Sequence, residues 1–173
     1  MITYNPAFDL YHCIYRMLHI LGRLEEGECI DLDKARIWDF YLLFPQKVYD
    51  MHMRRDEAEY RKLREIYVRR SNNPYEYSGN NGKLFERLKS YQMTALSNLV
   101  SYGVIDRDQF LDKKLVICDY EKFKKLITDL EPLDTKESNV LSFMSLFTKD
   151  MSLFGKYGLK QRTELMESRY DAE

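Results

Sequence analysis

The sequence is short of the side chains that build most recognisable catalytic centres. It holds three histidines and three cysteines in 173 residues. Cys13, Cys29 and Cys118 form an odd set, far apart and without a second ligand at metal spacing, which fits reduced thiols in a cytosol. His12 and His19 lie about two helical turns apart, with Arg16 between them, and a fixed positive charge there opposes a divalent cation. Cys13 follows His12 directly, but neighbours along a helix point in different directions and make no thiolate dyad. No His-Glu-x-x-His, Cys-x-x-Cys or Gly-x-Ser-x-Gly pattern occurs, nor an acidic set for two-metal chemistry. Gly79-Asn80-Asn81-Gly82-Lys83 lacks the four residues that separate the glycines of a phosphate loop, and Leu84 stands where the hydroxyl residue belongs. The scan therefore yields no catalytic, cofactor-binding or metal-binding residue, and no enzyme is expected; a site assembled only by the fold lies outside such a scan.

Two further absences bound the partners. Lysine and arginine number 27 against 28 aspartates and glutamates, so no excess of one sign provides a long-range field for nucleic acid. No apolar run approaches the roughly 18 residues that a membrane helix needs, and no basic, apolar, small-residue leader opens the chain. A cytoplasmic protein without a membrane partner is expected. Internal repeats and low-complexity tracts are also missing.

What is present is a large apolar complement, 45% of residues, with 14% aromatic, enough for one compact domain or a core domain with a helical extension. The stretch Lys83–Cys118 organises the rest. Leu84, Phe85, Leu88, Tyr91, Ala95, Leu96, Leu99 and Tyr102 recur at three- and four-residue steps and predict a long helix, ended by Gly103 in a left-handed cap. Val104-Ile105 and Leu115-Val116-Ile117 then read as a small β-hairpin with a charged loop. A helix followed by such a hairpin suits a winged helix-turn-helix, and equally any α+β domain with one hairpin.

Upstream, Asn5-Pro6 predicts a turn before a helix from about Ala7 to Leu24. Asp9, His12, Arg16, His19 and Arg23 form its one narrow polar stripe, which either faces solvent or meets a partner. Glu28–Ile30 reads as a short strand, and a second helix is predicted from Leu32 to Phe44, stopped by Pro45. Residues 46–82 form an insert. Its interleaved charges suit a solvated helix with ion pairs or, less simply, a phosphate-contacting stripe, and Ser71–Gly82 has the composition of a surface loop. Asp119 caps a short helix to about Leu130. A further apolar-striped helix spans Thr135–Phe154, and Gly155 and Gly158 hinge into a polar tail that carries Leu159, Leu165, Met166 and Tyr170. The expected organisation is mainly α (α+β): a winged-helix-like core over residues 1–118, and a C-terminal helical extension with a docking tail over 119–173.

Four segments, YNPAFDLYHCIYRML (Tyr4–Leu18), ARIWDFYLLFP (Ala35–Pro45), SYGVID (Ser101–Asp106) and GLKQRTELMESRYD (Gly158–Asp171), together resemble the middle components of bacterial ABC three-component systems. That group includes the small third protein of Lamassu-type defence operons. The resemblance runs from end to end in order, and none of its motifs is catalytic. It implies a small winged-helix accessory protein that couples an SMC- or Rad50-like ABC ATPase to an effector, often a nuclease, encoded beside it. Partner contacts are then expected on Asp9, His12, Arg16, His19 and Arg23 and on the tail residues Leu159, Arg162, Leu165, Met166, Arg169 and Tyr170; for each, solvent exposure or internal packing is the plainer alternative. DNA phosphates, met only inside the complex, would fall to Arg54, Arg55, Arg69, Arg70, Lys113 and Lys114. The competing readings are a stand-alone winged-helix DNA-binding regulator and, behind it, an enzyme or toxin acting alone.

Overall fold

A computed structural model describes residues 5–71 and 79–166. A 3-10 turn at Pro6–Phe8, capped by the Asn5 side chain, leads into α1 (Leu10–Leu21). Then come β1 (Cys29–Asp31), α2 (Leu32–Leu43), a second 3-10 turn (Pro45–Asp50) and α3 (Ala58–Tyr67). The long α4 (Asn81–Ser101) is followed by the short α5 (Arg107–Leu111), β2 (Lys114–Val116), α6 (Tyr120–Asp129), α7 (Thr135–Thr148) and a single turn of helix, α8 (Leu159–Thr163). The fold is mainly helical with one small antiparallel sheet.

Contacts divide the chain into two compact units, Met1–Asp39 with Leu88–Pro132 and Phe40–Arg87 with Leu133–Glu173. The divisions fall inside α2, inside α4 and after Pro132, so that α6 belongs to the first unit. Composition along the chain does not register which distant stretches pair.

In the first unit α1 begins three residues later than expected, because Asp9 caps it: its carboxylate accepts the His12 backbone N–H at 2.9 Å. Cys13, Met17, Ile20 and Leu21 from α1, Ala35, Ile37 and Trp38 from α2, and Leu96 and Leu99 from α4 are buried there. The end of α4 is closed as the sequence predicts. Gly103 sits at φ 72, its N–H bonds the Val100 carbonyl at 3.0 Å, and the Val104 N–H reaches back to Leu99 at 2.9 Å, the paired bonds of a left-handed helix cap.

The hairpin differs from expectation. Its first limb is one antiparallel bridge, Ile105 to Ile117, and β2 pairs instead with β1, Ile30 opposite Leu115 and Asp31 opposite Lys114. The charged loop is helical, since the Asp106 side chain accepts the Gln109 N–H at 2.9 Å and caps α5. Ile30 and Leu115 point inward, 4% and 0% exposed, while their neighbours alternate outward as strand geometry requires.

The second unit buries Phe40, Tyr41, Val48, Leu84, Phe85, Val140, Phe143, Met144 and Phe147. Ring contacts run Phe40–Phe85 at 6.0 Å, Phe143–Phe147 at 5.7 Å and Tyr60–Phe147 at 4.9 Å. The insert is thus part of a core. Its helix α3 packs on α7, and α7 stops at Thr148, short of the predicted Phe154. The two glycines after it do not form a hinge. Gly155, at φ 91, receives the Gly158 N–H at 2.9 Å in a closed turn, and a Cβ on Gly158 would lie 2.2 Å from the Phe154 carbonyl oxygen. Only glycine lets the backbone pass so closely.

Candidate functional site

The polar stripe of α1 is not one surface. Arg16 points inward, its side chain 3% exposed, and its Nε donates to Asp39 Oδ1 at 2.5 Å. Nη1 bonds the Pro6 carbonyl at 3.3 Å and Nη2 reaches Asp39 Oδ2 at 3.4 Å. Gln92, fully buried on α4, donates from Nε2 to Asp39 Oδ2 at 2.9 Å and to the Arg36 carbonyl at 3.1 Å. Its Oε1 accepts from Arg36 Nε at 3.0 Å, and Arg36 Nη1 continues to Asp33 at 3.0 Å. A polar chain therefore crosses the interior of the first unit from the N-terminal turn through α1 and α2 to α4. Residues buried together in such a network stabilise one arrangement of helices, because each alternative leaves a charge unpaired.

The rest of the stripe is scattered. Asp9 is consumed by the helix cap, His19 Nε2 lies 3.0 Å from the Glu131 carbonyl oxygen, His12 is exposed and Arg23 half-buried. The expectation of one solvent- or partner-facing stripe is corrected for Arg16, since its acceptor Asp39 lies on the buried face of α2.

The tail is resolved differently from a free docking peptide. Leu159 and Leu165 are 0% and 2% exposed, and Arg162 is 6% exposed. Arg162 forms a fork onto Glu57, Nη1 to Oε2 and Nη2 to Oε1, both at 2.7 Å, while its Nε bonds the Tyr157 carbonyl at 2.7 Å. Burial alone would raise the Glu57 carboxyl, but the Arg162 bonds, aided by the Arg54 backbone N–H and charge, hold it below the ordinary carboxylate value. The three residues thus pack internally in the second unit. Met166 is half-buried, and Arg169 and Tyr170 lie outside the described residues.

The six basic candidates separate into three pairs. Arg54 and Arg55 are exposed at the approach to α3; Arg54 pairs with Asp56, and its guanidinium lies 4.8 Å from the Tyr157 ring centre. Arg69 and Arg70 are exposed beyond the end of α3. Lys113 is exposed in a left-handed backbone turn at φ 59, while Lys114 is held by Asp31 at 2.6 Å, a bond that raises its pKa. Among the described residues no group of three or more histidine, cysteine or acidic side chains is placed to hold a metal ion, and no helix is long and apolar enough to cross a membrane.

Comparison with known families decides the lineage. The family model described as ABC-three component (ABC-3C) system Middle Component 5 matches residues 2–171. The chain belongs to this family. Middle components work with an ABC ATPase and other components, which makes this middle component an accessory subunit of an ABC-three component system. No curated protein and no solved structure matches it. All four segments that carry the resemblance acquire a physical role here: YNPAFDLYHCIYRML supplies Arg16 to the buried network and SYGVID supplies the caps at Gly103 and Asp106. ARIWDFYLLFP supplies Arg36 and Asp39 to the buried network, and GLKQRTELMESRYD supplies Arg162 to the Glu57 fork. Gln92 escapes sequence reading, since a single polar residue on an apolar helix face gives no periodic signal of its own, and Glu57 is one of several charges in the insert that nothing local singles out.

Proposed function

We propose that this middle component is a non-catalytic adaptor, joining an SMC- or Rad50-like ABC ATPase to an effector, often a nuclease, in a Lamassu-type defence against phage or plasmid DNA. The observation that carries the proposal is the reach of the family match, residues 2–171, which assigns nearly the whole chain to a lineage defined by its place between other components. The order of elements in the first unit, helix, strand, helix, long helix, short helix, strand and helix, is in keeping with a winged-helix core extended by α6. Several large apolar side chains also remain uncovered on that unit, Tyr11 at 82%, Tyr102 at 81% and Leu111 at 71%. Aromatic side chains of this kind are enriched at the anchoring positions of interfaces.

A stand-alone DNA-binding regulator draws less support. The exposed positions of α4 within the first unit, Lys89, Ser90, Thr94, Ser97 and Ser101, carry one cation among five side chains, whereas a groove-reading helix needs several donors for phosphates and base edges. The deciding experiment co-expresses the tagged chain with the proteins encoded beside it and measures the mass of the purified material by light scattering. An assembly that contains the ATPase is the expected result. A lone monomer or homodimer under the same conditions would overturn the adaptor reading.

A further inference from the structure

Among the described residues of the second unit, one buried arginine has no ion pair with a carboxylate. Arg64 on α3 is 8% exposed. Its Nη1 makes a long bond of 3.4 Å to the Val48 carbonyl, and its Nε has no hydrogen-bond partner. The guanidinium lies 4.5 Å from the centre of the Tyr49 ring, and a second guanidinium, that of the exposed Arg70, lies 4.4 Å from the same centre. Among the described residues neither arginine has a carboxylate within ion-pairing distance. Arg61 adds a third positive charge nearby, with its own donors committed to the Arg54 and Arg55 carbonyls at 2.5 and 2.8 Å. Burial lowers the Arg64 pKa from its ordinary value, Arg70 and Arg61 push in the same direction, and Tyr49 and Glu65 oppose them only in part. Guanidinium groups brought together in this way repel one another.

The arrangement is held from two sides. The Tyr49 hydroxyl donates to the Val68 carbonyl at 2.5 Å, which fixes the ring. Gln46 closes a clasp on the residues after α3, its Nε2 donating to the Arg69 carbonyl and its Oε1 accepting the Ser71 N–H, both at 2.9 Å. The 3-10 turn at Pro45–Asp50 thus fixes the backbone that carries Arg69 and Arg70, so that a ligand need not order it.

We infer that Arg64, Arg70 and Tyr49 form an anion site that takes a phosphoryl group. Phosphoryl oxygens satisfy several guanidinium donors at once and carry more charge than a carboxylate. The Tyr49 hydroxyl is already committed to the Val68 carbonyl, so the donors for the anion are the guanidinium groups. The phosphoryl group belongs either to a polynucleotide backbone or to a small phosphate such as a nucleotide. The inference concerns the chain by itself and stands whether or not the adaptor reading does.

Calorimetric titration of the full chain with sodium phosphate, with ATP and with a short mixed-sequence DNA duplex at several salt concentrations tests it. Arg70→Gln is the main variant, because Arg70 is exposed and its removal disturbs one ring contact; equal melting temperatures for variant and wild type check the fold. Loss of a charge-assisted bond to phosphate should weaken binding roughly tenfold or more. If the source is a polynucleotide, duplex binding falls with salt and the slope drops by about one in Arg70→Gln. If the source is a small phosphate, ATP or inorganic phosphate binds, the duplex does not, and Arg70→Gln weakens that binding. Absence of binding by all three probes, or binding that Arg70→Gln leaves unchanged, overturns the site.

Discussion

The two units bury charge in different ways. In the first, Arg16 and Asp39 are withdrawn from water, at 3% and 0% side-chain exposure, and a buried glutamine completes their bonding. In the second, Arg162 and Glu57 sit nearer the edge, at 7% and 14% exposure, with both arginine forks used and the ring of Phe147 5.7 Å from the guanidinium. Acidic residues outnumber basic ones in the first unit and the balance reverses in the second. A withdrawn pair contributes little net stability over an apolar substitute of equal shape, yet breaking it is costly. A rim pair with bidentate geometry contributes modestly and titrates. The first unit thus uses charge to specify one packing, and the second uses it to fasten a terminal segment.

The largest effect expected from this contrast follows Asp39→Ala. It leaves Arg16 charged inside the first unit without its carboxylate, removes one of the Gln92 bonds and should cost about 3–5 kcal/mol, read as a drop in the urea midpoint with faster amide exchange in α1 and the second half of α4. Replacing both partners, Arg16→Met with Asp39→Leu, should recover most of that loss. A cost for Asp39→Ala of less than about 1 kcal/mol would mean that the network does not organise this core.

An intermediate effect belongs to Glu57. Its carboxyl is held below its ordinary value, so the folded protein binds fewer protons than the unfolded chain in acid. Its contribution to stability is present above the ordinary value of 4.5 and is lost as pH falls below it. Glu57→Gln should cost about 1.5–3 kcal/mol at neutral pH, and the urea midpoints of variant and wild type should converge as pH falls. Parallel midpoints throughout would show that the fork adds nothing in the ionised state.

The smallest effect is expected at the sheet. Lys114 faces Asp31 across the strand pair, but the two side chains are 42% and 27% exposed. Lys114→Ala should cost less than about 1 kcal/mol, and less still in high salt. Thermal melts at low and high salt measure it, and a loss comparable to that at Asp39 would erase the distinction between withdrawn and accessible pairs.

The parts of this fold legible in the sequence are those written in local periodicity and punctuation. The apolar steps from Leu84 to Leu99 give α4, Gly103 its end, Pro45 the end of α2 and Asp119 the start of α6. The sequence does not reveal which stretches meet at a distance. Arg16 falls in a polar stripe and reads as solvent-facing until Asp39 and Gln92, from elements far along the chain, arrive beside it. β2 finds its main partner in β1, and Val104-Ile105 adds a single bridge from Ile105 to Ile117, because Asp106 starts a helix where a hairpin loop was expected. The candidate site was legible as a lineage and as a set of exposed arginines. The Tyr49 contacts and the Gln46 clasp were not, since neither leaves a pattern in composition or spacing.

The closed turn before α8 has a consequence for reading variation in this protein. A substitution scan at position 158 would tolerate glycine alone, because even alanine would drive a methyl group into the Phe154 backbone oxygen at 2.2 Å. Such intolerance has the statistical look of a functional hot spot. Its origin is steric, the main chain of Leu153 and Phe154 turning back against Gly158 with no room for a side chain. Selection at this position reports how the chain is folded and says nothing of what the protein binds.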